Sequence, residues 1–165
     1  MTTALPRHAE GKVVVPADPS ILFAHLDDHR RLSAHMQRRS PWMLGTRMAV
    51  STDDGDGRRV GSHIRLEGAV LGIPLSVDEV VEVHEIPWRK TWVTVDDVRL
   101  LVIGAYRMGF AIAPAGAASQ LTVFIDYRLP DSVWGRVAGA VLGGFYARWC
   151  VGMMLDDARR AMSAR

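Results

Sequence analysis

From Ser132 to Ala164 the chain reads as one uninterrupted helical block, SVWGRVAGAVLGGFYARWCVGMMLDDARRAMSA, and between Val137 and Leu155 it carries a single charge, Arg148. Helical spacing brings side chains three and four apart onto one face. It gathers Trp134, Val141, Phe145 and Trp149 into one stripe, with Val137, Leu142 and Met153 at its edges. Gly135, Gly139 and Gly143 recur every fourth residue roughly opposite, and Ala147 continues them. A helix apolar around most of its circumference must be buried, embedded in a membrane, or laid over an apolar cavity. The sequence ahead of it has to supply whatever it covers.

That preceding sequence is a run of strands. GKVVVPA reads as a first strand ended by Pro16, and Asp18 caps a short helix from Pro19 to about His29, with Pro19 at the favoured first position. Arg31 to Met36 predicts a second short helix that stops at the Ser40–Pro41 break. After the turn-rich TDDGDG segment the pattern switches to period two for about seventy residues. Strands are expected near 47–52, 60–71, 74–86, 89–96, 100–113 and 119–129. Their joints are too short for parallel crossovers, so neighbours are antiparallel. Pro130 ends the last strand and Asp131 or Ser132 caps the long helix. The order βααββββββα is an α+β pattern. A curved sheet needs a cover on its concave face, and the long helix is the only element large enough. With bulky side chains on one side and glycines on the other, it is expected to leave a cavity with its aromatic stripe turned toward it.

Composition narrows the classes. The 165 residues make one domain, 1–165, with 48% hydrophobic and 23% charged residues, which excludes a mainly disordered chain. Net charge is +2, and eighteen arginines stand against two lysines. The arginines are scattered among acids, with pairs at Arg30–Arg31, Arg38–Arg39, Arg58–Arg59 and Arg159–Arg160. No basic stripe interleaved with aromatics is present, so no nucleic-acid partner is expected. A lone cysteine, Cys150, allows no internal disulfide and reads as an inert buried thiol. The N-terminus MTTALPRHAEG lacks an apolar signal core, which points to a cytoplasmic setting.

Several stretches carry a family resemblance. The opening VVVPADPSILFAHLDD, the segment EVVEVHEIPWRKTWVT and the strand pair YRMGFAIAPAGAASQLTVFIDYRLP, in the order βααββββββα, resemble the SRPBCC superfamily. This is the START/Bet v 1-like, helix-grip group, and the similarity is greatest to its polyketide cyclase/dehydrase-like members. It spans nearly the whole chain. The resemblance implies a seven-stranded antiparallel sheet gripping the C-terminal helix, with a hydrophobic ligand held between them. Members of that superfamily include lipid and sterol carriers, aromatase/cyclases and ubiquinone-binding proteins, and no single catalytic set carries over.

Strand alternation nominates the residues that carry chemistry. Tyr106, Met108, Phe110 and Ile112 share one strand face with Gly104, and Trp92 alternates on the strand before. With Val141, Phe145, Arg148 and Trp149 of the helix, residues Trp92, Tyr106, Met108 and Phe110 form the expected ligand wall. Glu79 shares a strand face with Leu75, Val77, Val81 and Val83. Buried there, its carboxylate would serve as an acid or base. A bulge after Val77 would instead turn it to solvent beside Asp78 and Glu82. Asp126 is a second acidic candidate, with Arg107 or Arg65 as cross-strand partner, and Tyr106 a third proton-transfer group. Arg148 either snorkels to the protein edge or anchors an anionic group of a ligand. His25 and His29 have the i, i+4 spacing of a metal pair, with Asp28 and His35 nearby. No remote Cys/His set completes a site, so no metal and no cofactor is expected. No nucleophile elbow, phosphate loop or dinucleotide fingerprint occurs.

Two main expectations follow. The first is a soluble protein that holds a hydrophobic or amphiphilic small molecule (lipid, quinone or polyketide-like) between sheet and helix. The second is a cyclase/dehydratase-type enzyme that works through Glu79, Asp126 or Tyr106. Membrane contact or a homodimer through the long helix is a lesser alternative, since Val137 to Leu155 is about the length of a membrane span.

Overall fold

The computed structural model describes residues 4–32 and 48–164. Its elements are β1 (Arg7–Val15), α1 (Pro19–Leu26), α2 (His29–Leu32), β2 (Met48–Thr52), β3 (His63–Val70), β4 (Ile73–Glu85), β5 (Arg89–Arg99), β6 (Tyr106–Ala115), β7 (Ala118–Tyr127) and α3 (Val133–Ser163). The seven strands form one antiparallel sheet in the order β1-β7-β6-β5-β4-β3-β2. Every consecutive pair from β2 to β7 is hydrogen-bonded, as short connections require. The first strand crosses over to pair with the last. The architecture is the α+β helix-grip arrangement.

Capping residues set the helix ends. Oδ1 of Asp18 accepts from the Ser20 amide at 2.9 Å. Oγ of Ser132 accepts from the Gly135 amide at 3.1 Å and starts α3, while Asp131 pairs with Arg128. The helix expected from Pro19 to His29 stops earlier. Asp27 closes α1 with its amide on the Phe23 carbonyl, and Oδ1 of Asp28 accepts from the Arg30 and Arg31 amides, so a new helix begins at His29. The rest of the second helix expected over Arg31–Met36, and His35 with it, lies outside the described residues. The first strand begins four residues earlier than GKVVVPA. The strand expected over 100–113 begins only at Tyr106: the Val102 carbonyl lies against α3, and Gly104 and Ala105 bond to the Arg128 backbone just past β7.

The inner face is a continuous apolar layer of Ile64 and Leu66 on β3, Val77 and Val81 on β4, Trp92 on β5, Met108 and Phe110 on β6 and Leu121 and Val123 on β7. Leu22, Phe23 and Leu26 close one end of it from α1, with Phe23 edge-on to Phe110 at 5.6 Å. The long helix packs against β1 and β7.

It does so with the opposite side to the one expected. Gly139, Gly143, Ala147, Cys150, Val151, Met154, Ala158 and Met162 are buried. Trp134, Val141 and Phe145 are 85%, 74% and 57% exposed. The cause is steric. A Cβ on Gly139 would lie 2.7 Å from the carbonyl oxygen of Val102, and one on Gly143 3.0 Å from the same atom. Only a stripe without side chains lets the 100–105 segment lie flush on the helix, so the glycines turn inward and the aromatics outward. Val141, Phe145 and Arg148 therefore do not line the space between sheet and helix, and Trp149 sits half-buried at the helix edge, tilted against Tyr146. By length and hydropathy α3 could cross a membrane, but its glycine side is committed to the sheet.

Candidate functional site

Three polar side chains meet in one row on the largely apolar inner face. Glu79 of β4, Thr94 of β5 and Tyr106 of β6 lie in one cross-strand row: Glu79 pairs with Thr94, and Thr94 flanks Tyr106 where the β5–β6 ladder stops at Val93–Arg107. Oγ1 of Thr94 takes over there, accepting from the Tyr106 amide at 3.0 Å and donating to its carbonyl at 3.3 Å. Two strand spacings span roughly 9.5 Å. A tyrosine can reach that far because the middle of the row is a threonine. The Tyr106 hydroxyl donates to Oε1 of Glu79. From above, Nε2 of His29 comes to 3.3 Å from Oε2 of the same carboxylate. The His29 ring stands edge-on to Trp92 at 4.9 Å.

Burial makes this cluster chemically distinct. Glu79 is 3% exposed and His29 4%. Burial first, then the Glu79 charge, pushes the Tyr106 phenol well above its usual range, so it remains a proton donor. Oε2 of Glu79 and Nδ1 of His29 are buried with no hydrogen-bond partner among the described residues. Such atoms are rare in folded proteins, because leaving one unpaired costs about 1–3 kcal/mol.

A second polar group adjoins the first. Lys90, fully buried on β5, donates from Nζ to Oδ1 of Asp27 at 2.9 Å and to the Asp27 carbonyl at 3.2 Å. Nε2 of His84 lies 2.8 Å from the same Oδ1. Burial lowers the Lys90 ammonium from its usual range, against the opposing pull of Asp27. Asp27 and His29 both come from the α1–α2 junction. The break between the two helices drops one side chain onto Lys90 and the other onto Glu79.

Of the residues nominated from sequence, Glu79, Trp92, Tyr106, Met108 and Phe110 come together on the inner face. The sheet does carry an irregularity near Val77, but the extra residues are on β5, around Asp96 with its φ of 59°. Alternation on β4 therefore runs unbroken through Glu79. Asp126 does not join them. It is on the outer face, 2.6 Å from Nδ1 of His8, and borders an open cleft of about 440 Å³ lined also by Glu82 and Arg107. Of its two expected partners, Arg107 stands opposite it in the register but donates to Glu82 at 2.8 and 3.1 Å, and Arg65 donates to Asp78 at 3.3 Å. His25 is half-buried and His29 points elsewhere, so the two do not form a metal pair. Among the described residues no group of three His, Cys, Asp or Glu side chains is placed to hold a metal ion.

Comparison with solved structures places this geometry in a known frame. One match is TTHA0849 from Thermus thermophilus, at a TM-score of 0.66 and 13% identity over 96% of this chain and 98% of that one. Another is norcoclaurine synthase from Thalictrum flavum, at 0.65 and 13% over 96% and 87%. A third is Ara h 8.0201, at 0.54 and 15% over 91% and 98%. At 13–15% identity these matches show a shared fold, the helix-grip arrangement. No protein-family profile matches the chain, and no curated protein matches it by sequence. In this helix-grip frame sequence reasoning missed His29, Lys90, Asp27 and His84 as members of the inner polar group. His84 had no signal in the sequence: the slip at Glu82 between Val81 and Val83, which turns it from the outer to the inner face, shows only in the strand pairing. The signal for Asp27 and His29 was the Asp27–Asp28 pair, which ends one helix and caps the next.

Proposed function

We propose that the protein binds an amphiphilic small molecule on the inner face of the sheet. Trp92, Met108 and Phe110 take its apolar body, and Glu79, His29 and Tyr106 meet its polar group. The observation that carries the reading is a pair of buried atoms that make no hydrogen bond among the described residues, Nδ1 of His29 and Oε2 of Glu79, the latter with only its 3.3 Å contact to Nε2 of His29. A polar ligand group that reaches both supplies the hydrogen bonds that the described side chains do not. Lipids, quinones and polyketide-like molecules all have the required shape, an apolar body with one hydrogen-bonding end.

Native mass spectrometry of the purified protein, followed by extraction of any bound molecule, tests this reading. A co-purifying amphiphile that is lost from the Glu79→Leu variant supports it. A protein that arrives empty and leaves the fluorescence of its five tryptophans unchanged across fatty-acid, quinone and polyphenol panels overturns it.

A second reading is an acid–base enzyme of the cyclase/dehydratase type, which the contact of a carboxylate with both a phenol and an imidazole favours. Proton transfer needs such groups within hydrogen-bond reach of one another and of the substrate. Norcoclaurine synthase is an enzyme built on this fold, and a point mutant of it has been solved with a transition-state analogue. The two readings separate on Glu79→Gln. An enzyme converts its substrate and loses that turnover in the variant, whereas a carrier releases its ligand chemically unchanged with or without the carboxylate.

A further inference from the structure

The N-terminal half of α3 presents Val133, Trp134, Val137, Val141, Leu142 and Phe145 to solvent, each more than half exposed. Isolated exposed apolar residues are ordinary, but six within four turns, with a tryptophan at the outer end, form a contiguous patch. We propose that this face docks the protein on an anionic lipid surface. The proposal stands independently of the ligand reading above.

Charge selects the occupant. Between Asp131 and Asp156 the only ionised side chains on the helix are Arg136 and Arg148. The first turn holds no acidic residue, so the positive end of the helix dipole is left without a negative side chain on the helix. Asp131, the nearest acid before it, is engaged with Arg128. Lipid phosphates complement such a face, and basic residues beside an apolar helix face strengthen attraction to anionic lipids. A second copy of the chain is a poorer fit, because a two-fold pairing of this face brings two more arginines to it and no acid between Asp131 and Asp156 to neutralise them.

The sheet supports the same orientation. The β3–β4 turn, the 100–105 segment and the start of α3 all lie at one end of the sheet, as the pairings Val70–Ile73, Ser76–Arg99 and Tyr106–Tyr127 require. That end also exposes Leu71, at 78%, and Ile73, at 50%.

Co-sedimentation of the full chain with vesicles tests the proposal. One set is phosphatidylcholine alone and the other is equimolar phosphatidylcholine and phosphatidylglycerol. Binding to the anionic vesicles at least tenfold tighter than to the neutral ones is expected. The double variant Arg136→Glu/Arg148→Glu should lose that preference, and Trp134→Ser/Phe145→Ser should lose binding altogether. All four side chains are exposed, and an unchanged circular-dichroism melt verifies that the variants fold. No binding to either vesicle overturns the proposal, as does equal binding to both. So does a stable dimer by light scattering that the serine variant dissolves, since the face would then belong to a second copy.

Discussion

Nε2 of His29 lies 3.3 Å from Oε2 of Glu79, although one residue starts a short helix and the other sits in the middle of a strand. On its other oxygen Glu79 accepts the Tyr106 hydroxyl. The carboxylate is thus held between an imidazole and a phenol, inside a wall of Trp92, Val77, Val81 and Met108.

Removing the phenol tests how much of that arrangement is structural. Tyr106→Phe keeps the ring and deletes the donor, leaving Oε1 of a buried carboxylate without it. The expected cost is about 1–3 kcal/mol, read as a lower midpoint in urea with an unchanged slope. A change below about 0.5 kcal/mol, the range of ordinary surface substitutions, would mean that water already solvates Glu79.

The neighbouring Lys90–Asp27 pair makes a different prediction. Lys90→Met removes the charge but not the volume, and leaves the Asp27 carboxylate with His84 as its remaining side-chain partner. Breaking a buried pair from one side costs about 3–5 kcal/mol. The double variant Asp27→Asn/Lys90→Met leaves no carboxylate at position 27 without its ammonium partner and should be more stable than Lys90→Met alone. Equal stability of the two variants would show that the pair is solvated.

The run of antiparallel strands and the residues that share a face on β5 and β6 were legible because period-two alternation depends only on neighbouring residues, but which face turns inward was not. Nor was the orientation of α3. Its two stripes are equally clear in sequence, and the choice between them was made by the Val102 carbonyl, which packs against Gly139 and Gly143 from more than thirty residues away. His84 and His29 were missed for a related reason. A bulge and a helix break each reset which face a residue points to, and both leave weaker marks than the periodicity they interrupt. Glu79 could be nominated but not placed, since the irregularity beside it could have fallen on either of two paired strands.

The outer face carries its own pH signature. The hydrogen bond to Asp126, with a smaller contribution from Glu10, raises the His8 imidazole above its ordinary value of 6.5. A group whose folded value is raised binds its proton more tightly in the folded state. Its stabilisation is full below about pH 6.5 and is lost as pH rises through the folded value. Titration of the His8 ring protons by NMR should give a midpoint above 6.5, falling toward 6.5 in Asp126→Asn. The side chain is half exposed, so the effect on stability is small and salt-sensitive. A midpoint unmoved by the Asp126 substitution would remove the pair as its cause.

The glycines of α3 offer the sharpest test of how the helix is seated. Gly139→Ala places a methyl group 2.7 Å from the backbone carbonyl of Val102, which no side-chain rotation can relieve. The 100–105 segment must then shift or the helix must lift, at an expected cost of about 1–3 kcal/mol. Gly152→Ala lies on the same helix and has nothing within 4 Å of the new carbon. There the gain in helix propensity acts alone and stabilises by roughly 0.5–1 kcal/mol. Thermal melts of the two variants should therefore move in opposite directions. If both rise, α3 does not rest its glycine side on the 100–105 segment, and the outward placement of Trp134, Val141 and Phe145 falls with it.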